Sequence, residues 1–159
     1  MSLRLALAAA LLVPLAACGG ADVTNQSATG FATVTIKTAN GSHSFNLEIA
    51  DTQVKQERGM MYRSDIPADG GMLIAPYPPG GGAAEEVNFW TKNVPVPIDF
   101  IFIRADGTIA RIAENALPMS ETLIPSGEPV VAILEIRGGR SSELGISAGD
   151  SVDWPGRTK

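Results

Sequence analysis

The chain has 159 residues, with 12 Lys and Arg against 17 Asp and Glu, and a formal net charge of −5. This length allows one domain after a short leader, and the acidic balance argues against nucleic acid or anionic lipid as partners held by charge. The only cysteine is Cys18 and the only histidine is His43. We therefore expect no disulfide, no metal site built from cysteines or several histidines, and no cofactor.

Residues 1–17 have the pattern of a lipoprotein signal peptide. Arg4 precedes an apolar run over residues 5–15, and the segment ends in Leu15-Ala16-Ala17-Cys18, which is typical of a bacterial lipobox. The apolar run is about half as long as a transmembrane helix needs to be. The sequence therefore predicts cleavage before Cys18 and lipidation of its thiol, with the acyl chains as the membrane contact. An ordinary cleaved signal peptide with an incidental cysteine is the alternative.

The lipobox also predicts where the protein resides. A lipidated Cys18 would hold the domain in the bacterial cell envelope, facing the periplasm, and Gly19 in place of an aspartate favours the outer membrane. Residues 18–30 are small and polar, which is typical of a flexible tether. We expect one folded domain over residues 31–159.

The first half of that domain is predicted to contain a hairpin, a short helix and a third strand. Residues 31–38 and 43–50 are strand-like segments joined by Asn40-Gly41, which is a strong hairpin signal. Residues 52–61 begin with good N-cap residues and continue with helix formers. Residues 72–75 have the composition of a buried strand, and residues 76–86 are too rich in Pro and Gly for regular structure.

A second hairpin is predicted over residues 98–104 and 108–113. Its turn is Asp106-Gly107, which would place Ile103 opposite Ala110.

The remaining segments complete a mainly-β chain. Residues 129–136 form an apolar strand, residues 141–144 one helical turn, and residues 150–154 a last strand that ends at Trp154, an apolar plug for one rim. The predicted fold class is mainly β, at the margin of α+β. We expect a compact single-domain β-sandwich or barrel with one or two short helices.

Several short motifs occur in a familiar order along the domain. They are Glu57-Arg58-Gly59-Met60-Met61, Gly70-Gly71-Met72-Leu73-Ile74, Phe89-Trp90-Thr91-Lys92-Asn93, Pro97-Ile98-Asp99-Phe100-Ile101-Phe102-Ile103, Asp106-Gly107, Leu134-Glu135-Ile136 and Gly149-Asp150. The ordered set, over about residues 33–153, closely resembles domain-of-unknown-function family 192. Where that family usually has a methionine and a threonine, this chain has Thr91 and Val94. The resemblance implies a mainly-β fold and no established activity.

Two carboxylates are predicted to be buried. Asp99 lies in phase with Ile101 and Ile103, and Glu135 lies in phase with Val131 and Ile133. A carboxylate among apolar neighbours needs a cation or several hydrogen-bond donors, or its pKa rises. Arg58 and Lys92 are the partners that we expect for them, because each belongs to a motif of the same set.

The candidate site therefore consists of Arg58, Trp90, Lys92, Asn93, Asp99 and Glu135. One interpretation is a polar pocket in which the charged groups and Asn93 surround a small ligand and Trp90 forms an apolar wall. The other is a buried ion pair of Arg58 with Asp99 or Glu135 that fixes strand register.

The function that the sequence favours is that of a binding or accessory module in the cell envelope. Its partner would be a small molecule, an envelope polymer such as a glycan, or a protein, with the membrane contacted through lipid on Cys18. A glycan hydrolase that uses Asp99 and Glu135 is the alternative, as is a purely structural or assembly lipoprotein.

Overall fold

The computed structural model describes residues 30–157. The predicted signal peptide, Cys18, most of the tether and residues 158–159 lie outside the described residues. The secondary-structure elements of the described part are β1 (Phe31–Thr38), β2 (Gly41–Ala50), α1 (Gln53–Arg58), β3 (Gly71–Ile74), β4 (Asn88–Phe89), β5 (Ile98–Ile103), β6 (Ile109–Ala116), β7 (Ile124–Pro125), β8 (Ala132–Arg137), α2 (Arg140–Leu144) and β9 (Ser151–Asp153). The predicted mainly-β class with two short helices is confirmed. In the described range no helix is long and apolar enough to cross a membrane.

The strands form one curled sheet and one small ribbon. The sheet has the order β6-β5-β8-β3-β2-β1-β9, and β4 pairs with β7 in the ribbon. Within the sheet β2 and β3 are parallel, and the other neighbours are antiparallel. The Ile109 N–H donates to the carbonyl of Asp150 (2.9 Å) and the Val152 N–H to that of Gly107 (2.8 Å). These bonds bring the two ends of the sheet together, so that it approaches a barrel.

The curled sheet separates two hydrophobic cores. The inner core, on the concave side, is built around Ala32, Val34, Ile36, Phe45, Leu47, Leu73, Ala75, Ile101, Ile103, Ile109, Ala132, Leu134, Ile136, Ile146, Val152 and Trp154. The outer core, on the opposite face, contains Ala50, Met60, Ile66, Met72, Ile74, Val87, Val94, Ile98, Phe100, Phe102, Ala116, Val130 and Ile133. All six residues of β5 are buried because each face of this strand packs against a core.

The first hairpin has the predicted strands but a different turn. Thr38 pairs with Gly41, so the turn is Ala39-Asn40 and β2 begins two residues earlier than expected. The reason is local, because the Thr38 hydroxyl accepts from the Asn40 N–H at 3.1 Å. Gly41 then starts the strand at φ 135°, a conformation that favours glycine.

The second hairpin has two register shifts, one of which falls within the predicted pairing. Ile103 lies opposite Ile109 and not Ala110, because the pairing shifts by a residue between Phe102 and Ile103. Such a β-bulge leaves one residue unpaired and increases the local twist. The strand β6 also continues to Ala116, three residues beyond the predicted end.

The other elements lie close to their predicted places. The helix α1 starts after Thr52, whose side chain accepts from the Lys55 N–H, and it stops at Arg58 because Gly59 adopts φ 47°. The prediction of a helix to residue 61 was therefore too long. The strand β8 covers part of the apolar run predicted to begin at residue 129, and Val130 instead forms a bridge with Glu85. The short strands β4 and β7 were not predicted.

Gly71 allows a close backbone contact in the sheet, and its replacement should be costly. A Cβ at this position would lie 2.2 Å from the carbonyl oxygen of Glu135, and φ is 143°. We expect Gly71→Ala to lower the free energy of unfolding by about 3 kcal/mol or more. Gly80→Ala is the matched control, because Gly80 also has a positive φ but open space around it. Urea unfolding followed by tryptophan fluorescence measures both, and equal losses would contradict the contact.

Candidate functional site

Four of the six predicted site residues meet at one cavity. Arg58, Trp90, Lys92 and Glu135 line a space of about 400 Å³, which we call the outer cavity because it adjoins the outer core. They come from the end of α1, the loop after β4 and the strand β8. The rest of the lining is mixed in character and consists of Gln53, Gln56, Glu57, Gly59, Met60, Met61, Tyr77, Pro79, Asn88, Phe89 and Val94.

Glu135 forms a buried part of the cavity wall. Its side chain projects from β8 on the outer face, and only 3% of the residue is exposed. A Cβ on Gly59 would lie 2.9 Å from its Oε2, so a glycine lets the backbone after α1 pass directly over the carboxyl group. The Met60 N–H donates to the carboxyl group, but Oε2 has no hydrogen-bond partner among the described residues.

The surroundings of Glu135 change its protonation. Burial raises the pKa of this carboxyl to about 7, and the Met60 hydrogen bond and the Arg63 charge oppose that rise only in part. Arg63 is itself paired with Glu48. The predicted partnership of Glu135 with Arg58 or Lys92 as an ion pair is not present in the structure.

Two cationic side chains lie around the opening of the cavity. The Lys92 ammonium lies 5.2 Å from the centre of the Trp90 ring and 3.1 Å from Glu121 Oε1. Arg58 is exposed, and it forms no ion pair within residues 30–157. Solvent-exposed pairs such as Lys92–Glu121 are weak, so both cations are available to an incoming anion.

An aromatic cluster supports the apolar side of the cavity. The Phe89 ring centre lies 6.1 Å from Tyr77, 5.5 Å from Phe100 and 6.1 Å from Phe102. These separations suit tilted and edge-to-face aromatic contacts. Trp90 stays 40% exposed next to this cluster, so its ring face can contact a ligand.

Asn93 shapes the loop and is not part of the cavity lining. Its φ is 60°, its carbonyl accepts from the Tyr62 N–H at 2.7 Å, and its amide nitrogen donates to the Tyr62 hydroxyl at 3.1 Å. Thr91, found where a methionine was expected from the resemblance, is fully buried and donates to the Leu117 carbonyl. Both residues thus fix the segment that presents Trp90 and Lys92.

Asp99 lies on the other face of the sheet. It pairs in register with Ile136, whereas Glu135 lies opposite Phe100, so the two carboxylates project into different cores. Asp99 is fully buried, and its oxygens accept from the backbone N–H groups of Asn115 and Gly139 (2.8 Å each) and Ser141 (2.9 Å). The expectation that Arg58 or Lys92 would neutralise it is wrong, because three backbone donors satisfy the charge at the start of α2.

This separation removes the geometric basis for a two-carboxylate hydrolase. Glycosidases need both carboxyl groups on the two sides of one scissile bond, about 5 to 10 Å apart in a shared groove. Asp99 and Glu135 do not face a shared groove. Among residues 30–157 there is also no group of three or more His, Cys, Asp or Glu side chains placed to hold a metal ion.

The cavity also contains residues that the sequence did not single out. Gln56 is buried, and its amide nitrogen donates to the carbonyls of Ala50 (3.0 Å) and Pro76 (2.9 Å), which ties α1 to the loop after β3. Its Oε1 has no partner within the described part of the chain. Tyr77 also lines the cavity, and it belongs to the loop over residues 76–86, for which the sequence predicted no regular structure. The one sequence signal for either residue was a glutamine on the buried side of α1.

Comparisons with known proteins agree on fold and leave activity open. A crystal structure of a protein of unknown function from Novosphingobium aromaticivorans DSM 12444 is similar to this chain, with 36% identity and a TM-score of 0.73 over 78% of this chain and 85% of that chain. A protein from Sinorhizobium meliloti 1021, described as a candidate transcription regulator, has 39% identity and a TM-score of 0.72 over 78% of this chain and 93% of that chain. No curated protein matches. The family model DUF192, described as Uncharacterized ACR, matches residues 34–154.

The raised pKa of Glu135 should appear in the pH dependence of stability. The folded pKa of about 7 exceeds the ordinary value of 4.5, so the protonated carboxyl stabilises the fold. That contribution is complete below about pH 4.5 and is lost as the pH rises through about 7. Relative to Glu135→Gln, which does not titrate, the wild type should lose about 3 kcal/mol of unfolding free energy over this range.

Urea unfolding between pH 4.5 and 8 measures this difference. Glu114→Gln, at an exposed carboxyl on β6, is the control and should change with pH as the wild type does. Parallel pH curves for wild type and Glu135→Gln would contradict the burial argument.

Proposed function

The chain belongs to the DUF192 family, which is described as uncharacterized, and we propose that its domain is a binding module for a small organic anion. The observation that carries this proposal is the outer cavity, where two cations and an exposed indole surround a space with a buried carboxyl in its wall. The size of this cavity falls within the range of small-molecule sites, and its wall combines apolar side chains with polar and charged ones.

The positions of the polar groups indicate the chemistry of the ligand. Arg58 and Lys92 at the opening favour a carboxylate, sulfonate or phosphate group. Trp90 and Phe89 favour a flat or apolar body. Glu135 Oε2 lacks a hydrogen-bond partner in the described chain, so a donor group on the ligand would remove an unfavourable buried acceptor.

Two other roles have less support. A purely structural role suits Asp99, which is sealed by backbone donors, but it does not account for a cavity beside Glu135. The regulator description of the Sinorhizobium meliloti protein is not carried over, because the formal charge of −5 gives no electrostatic support for nucleic-acid binding.

We also propose that the domain acts at a membrane surface in the cell envelope, facing the periplasm. The support is the lipobox at residues 15–18 together with the polar tether that follows it. The ligand would then be a small molecule, or the end of an envelope polymer, that carries an anionic group.

Naphthalene-2-carboxylate is a suitable probe of the outer cavity, since it has a flat apolar body and one anionic group. We expect Arg58→Ala and Lys92→Ala each to weaken its binding about three- to tenfold, as expected for the loss of one charge-assisted contact. Isothermal titration calorimetry at fixed ionic strength measures the dissociation constants.

Two controls isolate the role of the cavity. Lys37→Ala removes the same charge from an exposed position on β1 and should leave the affinity unchanged. The neutral naphthalene-2-carboxamide should bind more weakly and equally to all variants. Equal weakening by Lys37→Ala, or equal affinity for acid and amide, would refute the proposed site.

The anchor has a separate test in the native host. Cys18→Ser should leave uncleaved precursor without incorporated palmitate, because the thiol is the acceptor of the lipid. Thr24→Ser, within the tether, should be processed and labelled normally. Normal cleavage of the Cys18→Ser chain and its release from the membrane would show that the cysteine is incidental.

A further inference from the structure

We propose that the domain has a second binding site, at the mouth of its curled sheet, for a linear apolar carboxylate of the fatty-acid type. The site is a cavity of about 570 Å³ in which inner-core side chains lie next to the guanidinium of Arg157. It is separate from the outer cavity, and its chemistry does not depend on the function proposed above.

The second cavity lies where the inside of the sheet opens. It is bounded by residues at the ends of β2, β3 and β9 and at the start of β8, and its remaining lining comes from the loops beyond them. Leu73, Ala75 and Trp154 belong to the inner core and form one wall, and Ile49 and Val131 complete the apolar surface. Mouths of curled and closed β-sheets are common ligand sites because interior side chains there have no partner strand above them.

A loop of small residues covers this mouth. Gly81, Gly82 and Ala84 line the cavity, and a Cβ at Gly81 would have no neighbour within 4 Å. The loop is held at both ends by backbone bonds, from the Tyr77 N–H to the Val131 carbonyl (2.8 Å) and between Glu85 and Val130. The absence of side chains at the two glycines leaves room for a flexible chain under the loop.

Arg157 is held in position at the rim of this cavity. Its side chain is 17% exposed, and it lies 3.6 Å from an Asp153 oxygen through Nε. One terminal nitrogen donates to the Asp106 carbonyl at 2.9 Å, and the guanidinium carbon lies 5.8 Å from the Trp154 ring centre. Gly107 permits this placement, since a Cβ there would lie 2.1 Å from the guanidinium.

These contacts leave donor capacity for an anion. A guanidinium has five N–H donors, and within the described residues the Arg157 side chain makes one hydrogen bond, from a terminal nitrogen to the Asp106 carbonyl. The exposed Asp153 balances the charge only loosely at 3.6 Å. A carboxylate at the rim would gain charge-assisted hydrogen bonds while its apolar chain entered the cavity.

The position of the domain's first described residue suits a ligand taken from a membrane. The Ile49 N–H donates to the Gly30 carbonyl at 2.8 Å, so Gly30 lies next to a residue of the cavity wall. Cys18 precedes Gly30 by 12 residues, which span at most about 40 Å. This step relies on the proposed lipidation, whereas the cavity and Arg157 do not.

A single-tryptophan variant allows occupancy of the second cavity to be measured. The chain has two tryptophans, and Trp90 belongs to the outer cavity, so the Trp90→Phe protein reports on Trp154 alone. The full chain, purified in a non-ionic maltoside detergent, is titrated with 2-bromododecanoate, whose bromine lies next to the carboxylate and quenches nearby indole fluorescence. We expect saturable quenching, against a linear and weaker effect on N-acetyltryptophanamide in the same detergent.

Two comparisons test the role of Arg157. The neutral 2-bromododecan-1-ol should bind about tenfold more weakly than the acid, and Arg157→Gln should weaken the acid about tenfold without affecting the alcohol. Ala84→Leu, which fills the cavity under the loop, should weaken both. Urea unfolding of each variant separates loss of binding from loss of fold.

Three results would overturn this proposal. One is quenching of Trp154 that does not saturate. Another is equal affinity for acid and alcohol in a chain that retains Arg157. The third is stronger quenching of Trp90 in a Trp154→Phe chain than of Trp154 in the Trp90→Phe chain, which would place the acyl chain in the outer cavity without contradicting the binding of naphthalene-2-carboxylate there.

Discussion

The structure depends on the burial of both faces of β5 and β8. All six residues of β5 and the first five of β8 are buried, because one face packs against the inner core and the other against the outer core. A side chain on these strands must therefore project into one core or the other. This constraint separates Asp99 from Glu135 and gives each face of the sheet its own cavity.

Local sequence signals predicted most strands and the start of α1. They could not predict which strands pair when the strands are far apart in the sequence. The N-cap at Thr52 follows from residue chemistry next to it in the chain. The parallel pairing of β2 with β3, and the contact of β9 with the start of β6, join segments far apart in sequence. The period of two predicted that Asp99 and Glu135 are buried, but a strand that is apolar on both faces gives no signal for which face each one takes.

Asp99 and Glu135 were both predicted to be buried, but their hydrogen-bond partners give the two carboxyl groups different chemistry. Asp99 accepts three backbone N–H groups and organises the junction of β6 with α2. Glu135 receives one backbone donor, and its pKa is raised to about 7. Four residues of the predicted site, Arg58, Trp90, Lys92 and Glu135, line one cavity. The order of motifs could not show that Asn93 and Asp99 lie outside this cavity, because that depends on loop geometry and on strand register.

Tyr77 belongs to the wall of both cavities. The Tyr77 N–H donates to the carbonyl of Val131, the residue before β8, and the neighbouring Pro76 carbonyl accepts from Gln56 of α1. The ring therefore lies on a segment that is hydrogen-bonded to both. An occupant that displaced this ring in one cavity would reshape the other. Thermodynamic linkage then requires the two affinities to change by the same factor in both directions. One aromatic side chain is thus the shared wall through which filling either cavity would alter the other.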